Sequence, residues 1–252
     1  MQTEFWGIIP ARYTSVRFPG KPLTPILGKP MFRWVYEQAC QCPDFDRILL
    51  ATDSERIAAE ARRCNIPFEM TKIEHPSGTD RILEAAAKAK VPETAVVVNI
   101  QGDEPALHPD MLSELIRPFS DPDVQVTTLI REERRPINHS PDQVWVTADK
   151  VGNALYFSRA GIPMDFADEG APCYRHIGLY AYRLPVLRHF VAAGPSRLEK
   201  IEKLEQLRLL ENGIPIRTVP TRHRSHGVDR PSDVKTVERL MQQRLSSRLK
   251  EN

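Results

Sequence analysis

The 252-residue chain has only four cysteines, Cys40, Cys42, Cys64 and Cys173, and no Cys-x-x-Cys pair. That leaves neither a secreted disulfide framework nor a thiolate set for structural zinc. His223 and His226 have a metal-compatible spacing, but Arg222 and Arg224 flank them and would repel a cation, so a solvated loop is expected. Long apolar runs are also missing. Stretches such as Ala95-Val96-Val97-Val98 are strand-sized, well short of the ~20 residues a membrane helix needs. The first residues carry no basic region followed by an apolar core, so a cytoplasmic protein is expected. A surplus of one charge is absent as well. The 35 Lys and Arg against 33 Asp and Glu give +2, and nothing in that balance calls for nucleic acid. No internal repeat or low-complexity linker divides the chain.

What is present is an alternation of strand-length and helix-length patterns. Apolar runs at Gly7–Pro10, Arg47–Ala51 and Ala95–Ile100 are separated by helical spacings, such as Met31, Trp34, Val35 and Ala39. This predicts βαβ units and an α/β fold. Asp53 is expected to cap a helix from about residue 54, and Thr79 another. A helix over 109–116 and a strand over 124–130 follow. After residue 130 the pattern changes to a hairpin, 143–148 with 154–158, then a strand over 175–183. Leu198, Ile201, Leu204, Leu207 and Leu210 recur every third residue and predict one helix ending at Asn212-Gly213. A strand over 214–219 and a final amphipathic helix over 231–249 complete the reading. The expected organisation is a single domain over 1–252. Residues 1–130 form a nucleotide-binding half, 131–230 a lobe built on the same sheet, and 231–252 a terminal helix.

Chemistry concentrates in loops at strand ends. Ile8-Ile9-Pro10 runs into a loop bearing Arg12, Ser15, Arg17 and Lys21. Three cations on one short loop repel one another unless an anion joins them, and a triphosphate is the matching anion. A P-loop is excluded, because Gly20-Lys21 is followed by Pro22 where that motif needs Ser or Thr. Pro22 also biases Lys21 toward extended backbone. Asp103 follows the third strand and Asp229 stands in a later turn. Together they form a candidate Mg²⁺ pair completed by substrate phosphates, although either alone is also consistent with a turn or cap. Arg159, His176, Tyr180, Glu205 and Gln206 are polar positions within apolar patterns. For His176 a satisfied structural role and a ligand-binding role stand level.

In this order, Ile9-Pro10-Ala11-Arg12 with Phe18-Pro19-Gly20-Lys21-Pro22, Ala51-Thr52-Asp53, Ser77-Gly78-Thr79-Asp80-Arg81, Gln101-Gly102-Asp103-Glu104-Pro105, Tyr156-Phe157-Ser158-Arg159, His176-Ile177-Gly178-Leu179-Tyr180, Leu204-Glu205-Gln206-Leu207-Arg208 and Gly227-Val228-Asp229 span nearly the whole chain. The set resembles the 3-deoxy-manno-octulosonate (Kdo) cytidylyltransferases. The resemblance implies a nucleotide-diphospho-sugar-transferase-like fold, a mixed, mostly parallel sheet flanked by helices with a smaller β-rich dimerisation lobe. It implies Mg²⁺-dependent transfer of CMP from CTP to Kdo for lipopolysaccharide synthesis, by a cytoplasmic homodimer. Arg12, Ser15, Arg17 and Lys21 would hold the phosphates, with Arg12 and Lys21 catalytic alongside the metal ligands Asp103 and Asp229. Ser77 and Gly78 would border the cytosine and Gln101 the nucleotide. Arg159, His176, Tyr180 and Gln206 would line the sugar acid, with Glu205 nearby.

One position departs from the pattern. The family commonly has Lys between two valines before the hairpin, where this chain reads Val144-Trp145-Val146. An indole there removes a charge. Either Lys150 compensates, or the acceptor is another acidic keto sugar, such as 8-amino-Kdo. A catalytically inactive nucleotide-binding protein is the remaining alternative, opposed by retention of both Asp103 and Asp229.

Overall fold

The computed structural model describes residues 3–14, 18–133, 143–166 and 170–251. In chain order these form β1 (Phe5–Ala11), a 3-10 turn (Lys21–Leu23), the short strands β2 (Pro25–Ile26) and β3 (Lys29–Pro30), α1 (Met31–Ala39), β4 (Arg47–Thr52), α2 (Glu55–Arg63), β5 (Phe68–Met70) and α3 (Gly78–Lys88). Then come β6 (Val96–Asn99), α4 (Pro109–Ile116), β7 (Val126–Glu133), β8 (Trp145–Ala148), β9 (Ala154–Ser158), β10 (Cys173–Arg183), α5 (Leu184–Ala193), α6 (Arg197–Glu202), α7 (Leu207–Glu211), β11 (Ile216–Pro220) and α8 (Asp233–Glu251). The α/β fold expected from the alternation is present, with sheets flanked by helices.

The chain divides into two compact units. An N-terminal unit comprises Glu4–Val91, Asn99–Leu112 and Arg224–Asn252; a middle unit contains Pro92–Val98 and Ser113–His223. In the N-terminal unit, β4 pairs in parallel with both β1 and β5, in a register running from Trp6 opposite Arg47 to Ala11 opposite Thr52. Ile8, Ile9, Leu50 and Ala51 are fully buried there, as expected of parallel strands covered on both faces. The backbone N–H of Ile100 donates to the carbonyl of Ile8 at 3.0 Å, placing the segment that leaves β6 alongside β1. A separate apolar cluster joins Ile26, Met31 and Trp34 to Ala106, Val228, Val237 and Met241. It seats α8 beside α1 and the segment that follows Gly102.

The middle unit has a mixed sheet. β7 pairs antiparallel with β10 and parallel with β11, and β10 also pairs with β8 of the β8–β9 hairpin. Three local expectations are corrected. Ser54, not Asp53, precedes α2 as its cap, and Ser77, not Thr79, caps α3 through hydrogen bonds from the N–H groups of Thr79 and Asp80. The helix expected through 198–210 is two helices. Lys203 takes a left-handed φ of 57°, which terminates α6 before the buried Leu204. The three-residue period is one that a continuous α-helix cannot keep on one face.

Arg208 of α7 ties these short helices together. Its guanidinium donates to both oxygens of Glu199 at 2.8 and 2.7 Å and to the carbonyl of Phe190 at 3.0 Å, while stacking over the Phe190 ring. Glu199 also closes the Ser196 capping box of α6. Removing one member of a buried ion pair strands the other charge, at about 3–5 kcal/mol. Arg208→Ala should therefore sharply lower the denaturation midpoint, whereas the double variant Glu199→Leu/Arg208→Met should recover most of the loss. Chemical denaturation measures both, and an Arg208→Ala protein as stable as the parent would contradict the assignment.

Candidate active site

In the N-terminal unit, loops at the carboxyl ends of its strands meet around an open cleft of about 220 Å³. Its walls include Arg12 and Lys21 of the first loop, Ser77 and Gly78 at the start of α3, Gln101 and Asp103 after β6, and Asp229 before α8. Seven of the positions singled out from sequence thus line one cleft. Ser15 and Arg17 lie outside the described residues.

Lys21 organises the centre. Its ammonium donates to Asp103 Oδ2 at 2.7 Å and to the carbonyl of Val228 at 2.9 Å, and lies 3.9 Å from Asp229 Oδ1. The last separation is an ion pair too long for a hydrogen bond. Two of the three ammonium donors are engaged, leaving one for a ligand. The Gly20 N-cap is left-handed, with φ 71°, a conformation glycine adopts without penalty. It lets the chain turn so that Lys21 enters the cleft. Lys21 itself opens the 3-10 turn Lys21–Leu23, so the extended backbone expected there from Pro22 is corrected: Pro22 sits inside the turn, where its missing N–H costs nothing. Arg12 is exposed on the cleft. The Ser77 hydroxyl is committed: it caps α3 and donates to Asp80 Oδ2 at 2.6 Å.

The remaining sequence-predicted residues belong to the middle unit. On β10, His176 Nε2 lies 2.9 Å from the Tyr180 hydroxyl and 3.0 Å from that of Thr128. The His176 ring also makes an edge-on contact with Phe157. His176 keeps some exposed surface, but burial of the ring lowers its pKa to about 3, and burial raises that of Tyr180 well above its ordinary value. Both are neutral near pH 7 and act as hydrogen-bonding groups. Arg159 is anchored through Glu202. Its Nε donates to the carbonyl of Glu202 at 3.0 Å and its backbone N–H to the Glu202 carboxylate at 3.2 Å. Gln206 precedes α7 and is 7% exposed. Its Nε2 is buried with no hydrogen-bond partner among the described residues. The same is true of the Trp145 indole nitrogen, on β8 opposite Ser158 and Arg175. Glu205 carries a negative charge that raises the pKa values of Tyr180 and Tyr182 further.

Three contributors went unrecognised in the sequence. Arg81 lines the cleft but is 2% exposed. It donates to Asp53 Oδ2 at 2.6 Å and also to Thr71, which explains why Asp53 is not a cap. Glu202 accepts from Ser158 at 2.9 Å and from Tyr156 at 3.4 Å as well as from Arg159; nothing in its local sequence marks it. Gly102 is required by contact, since a Cβ there would stand 2.5 Å from the carbonyl oxygen of Pro10. Gly102→Ala must push the Asp103 segment away from β1, at about 1–3 kcal/mol. Thermal melting should show lowered stability and ligand titration weakened CTP binding; a variant with both unchanged would rule out the close approach.

A cytidylyltransferase family profile matches residues 6–218. The 3-deoxy-manno-octulosonate cytidylyltransferase of Nitratidesulfovibrio vulgaris is 55% identical over 242 residues, covering 94% of this chain and 96% of that protein. The one from Lawsonia intracellularis is 51% identical over 245 residues, covering 96% of each. Among solved structures, a CMP:2-keto-3-deoxy-manno-octonic acid synthetase complexed with CTP superposes with a TM-score of 0.89 at 38% identity, covering 96% of this chain and 100% of that one. With the cleft, the fold and these near full-length matches in agreement, the chain belongs to the 3-deoxy-manno-octulosonate cytidylyltransferase family.

Proposed function

We propose that this protein transfers CMP from CTP to the anomeric hydroxyl of 3-deoxy-manno-octulosonate, releasing pyrophosphate, in the supply of activated sugar for lipopolysaccharide. The observation that carries the reading is the convergence of Arg12 and Lys21 with Asp103 and Asp229 on one cleft. The chain's family membership supports it.

Charge accounting supports a divalent metal. Among the described residues, the formal charges of Arg12, Lys21, Asp103 and Asp229 cancel, and that of Arg81 is matched by Asp53. A cleft so balanced does not by itself compensate a triphosphate. The two carboxylates fit Mg²⁺: both already direct an oxygen toward one cation, the Lys21 ammonium, and hard oxygen donors suit this ion. Bound there together with substrate phosphates, Mg²⁺ would neutralise phosphate charge and polarise oxygen.

The chain's own groups supply positioning and charge. Arg12 and the free donor of Lys21 hold phosphate oxygens and offset charge on the departing pyrophosphate. Gly78 and Gln101 border the nucleoside, where backbone groups near the cap of α3 contact the base. On the sugar side, Arg159 supplies positive charge for the carboxylate, and His176, Tyr180 and Gln206 supply hydrogen bonds, with Glu205 beside them. His176, with its lowered pKa, is a poor proton acceptor.

We place the protein in the cytoplasm, where CTP is available, and read it as a homodimer. The exposed apolar side chains of Leu155, Met164 and Phe166 in the middle unit support self-association. No described helix is long and apolar enough to cross a membrane.

A pyrophosphate-release assay with CTP and Mg²⁺ against a panel of 2-keto sugar acids tests the reading, with turnover expected on 3-deoxy-manno-octulosonate. Turnover confined to another acid sugar would replace the acceptor, and no turnover on any would reject the enzyme reading. Asp103→Asn should cut kcat by at least ~100-fold with the fold intact. Gln206 gives a separate expectation. An unpaired buried amide N–H costs about 1–3 kcal/mol, which a bound sugar oxygen would offset. Gln206→Met should raise the melting temperature of the ligand-free protein while raising KM for the sugar, not for CTP. An unchanged sugar KM would remove Gln206 from that site.

A further inference from the structure

The segments bearing Asp103 and Asp229 come from distant parts of the chain and are fastened together. The Val228 N–H donates to the Asp103 carbonyl at 2.8 Å, and Ser225 Oγ donates to Glu104 Oε2 at 2.6 Å. The third tie comes from α8. Arg244 donates through Nη2 to the carbonyl of Arg224 at 2.7 Å and through Nη1 to the carbonyl of Ala106. One guanidinium thus spans the chain just past Asp103 and the chain just before Asp229.

The helix that carries Arg244 is itself held in place. Val237 and Met241 are buried in the cluster with Ile26, Met31 and Trp34, and Glu238 accepts from the N–H of Leu27 at 2.9 Å. At the start of α8, Asp233 accepts from the N–H groups of Asp229 and Arg230 at 2.9 and 2.8 Å. The helix therefore grips the Asp229 segment at its beginning, through Asp233, and both segments about three turns further along, through Arg244.

We propose that Arg244 is a positioning residue: by joining the Asp103 segment to the Asp229 segment, it makes the C-terminal helix set the carboxylate spacing and hence the divalent-cation affinity of the cleft. This rests on the reading of Asp103 and Asp229 as the metal pair. The guanidinium suits the role because its planar fork presents donors in two directions at once, which a Lys ammonium on the same helix does less rigidly. Mg²⁺ demands near-ideal oxygen geometry, so a small change in segment spacing registers first as lost metal affinity. Glu104 and Ser225 contribute to the same spacing through their hydrogen bond.

The test measures Mn²⁺ binding by electron paramagnetic resonance in the presence of CTP, on the full chain, alongside the Mg²⁺ dependence of turnover. Arg244→Ala should weaken Mn²⁺ binding by about tenfold, the lower end of the effect of outer partners on metal sites. The Mg²⁺ concentration for half-maximal rate should rise in parallel, with kcat at saturating Mg²⁺ falling less. Arg244→Lys should lie between the parent and Arg244→Ala. Ser225→Ala, which leaves the helix docking untouched, should weaken Mn²⁺ in the same direction by a smaller factor and guards against an Arg244 variant that does not fold. Asp103→Asn separates the two proposals. If it binds Mn²⁺ as the parent does, the metal pair itself is wrong. If it loses Mn²⁺ while folded Arg244→Ala and Ser225→Ala bind normally, only the positioning role is overturned, including where Arg244→Ala merely lowers the melting temperature.

Discussion

Everything at the cleft depends on one ammonium holding two carboxylates. Asp103 and Asp229 repel each other when brought together, and Lys21 is the cation that makes their approach tolerable. The same contact brings the first loop, the exit of β6 and the approach to α8 to one point. The surrounding structure serves that point. Gly102 has no side chain because Pro10 leaves no room for one, and Gly20 turns the loop so that Lys21 arrives. Arg81 and Asp53 cancel each other nearby and leave the cleft's balance undisturbed.

Among the described residues the cleft mixes cations with carboxylates. A cleft made only of cations would hold triphosphate without help and release product slowly. A neutral one draws its excess positive charge from an ion that comes with the substrate. In the proposed reaction the protein therefore supplies geometry, and much of the charge is imported with the nucleotide. The middle unit follows a similar economy. Apart from Arg159 and Glu205, the groups we propose for the sugar side are neutral, and two of the unit's buried donors, on Trp145 and Gln206, have no partner among the described residues.

The strands other than the short β2, β3 and β5, together with α1, α4, the β8–β9 hairpin and the cleft loops, were legible because each announces itself within a few residues. Apolar runs make buried strands, and Gly and Pro mark the turns that follow them. What stayed hidden depends on partners far away in the chain. Asp53 has the local look of a cap, and only Arg81 diverts it. The leucine period through 198–210 has the look of one helix, but Lys203 breaks it and the buried Arg208–Glu199 pair fixes the two pieces. The segment forming α5 was not read as a helix at all. His176 could not be assigned a charge state from sequence, because its neutrality comes from Thr128, Phe157 and Tyr180 closing around it. Trp145 was noticed as a departure, but that its N–H would be buried without a partner could not be read from its neighbours.

The Ser77 hydroxyl has a further meaning. It is spent on the start of α3, accepting from two backbone N–H groups and donating to Asp80. If the base lies beside Ser77 and Gly78, this side chain has no proton left with which to tell cytosine from uracil. At the start of α3, discrimination would then rest on main-chain dipoles, which no point substitution can delete, and Gln101 would be the exchangeable side chain beside the nucleoside. The main-chain part of the preference is hard to alter by exchanging residues and would shift only when the loop before α3 changes length or path. The base would be the conservative half of the substrate pair, and the sugar acid, met by exchangeable side chains, the half along which such enzymes diversify.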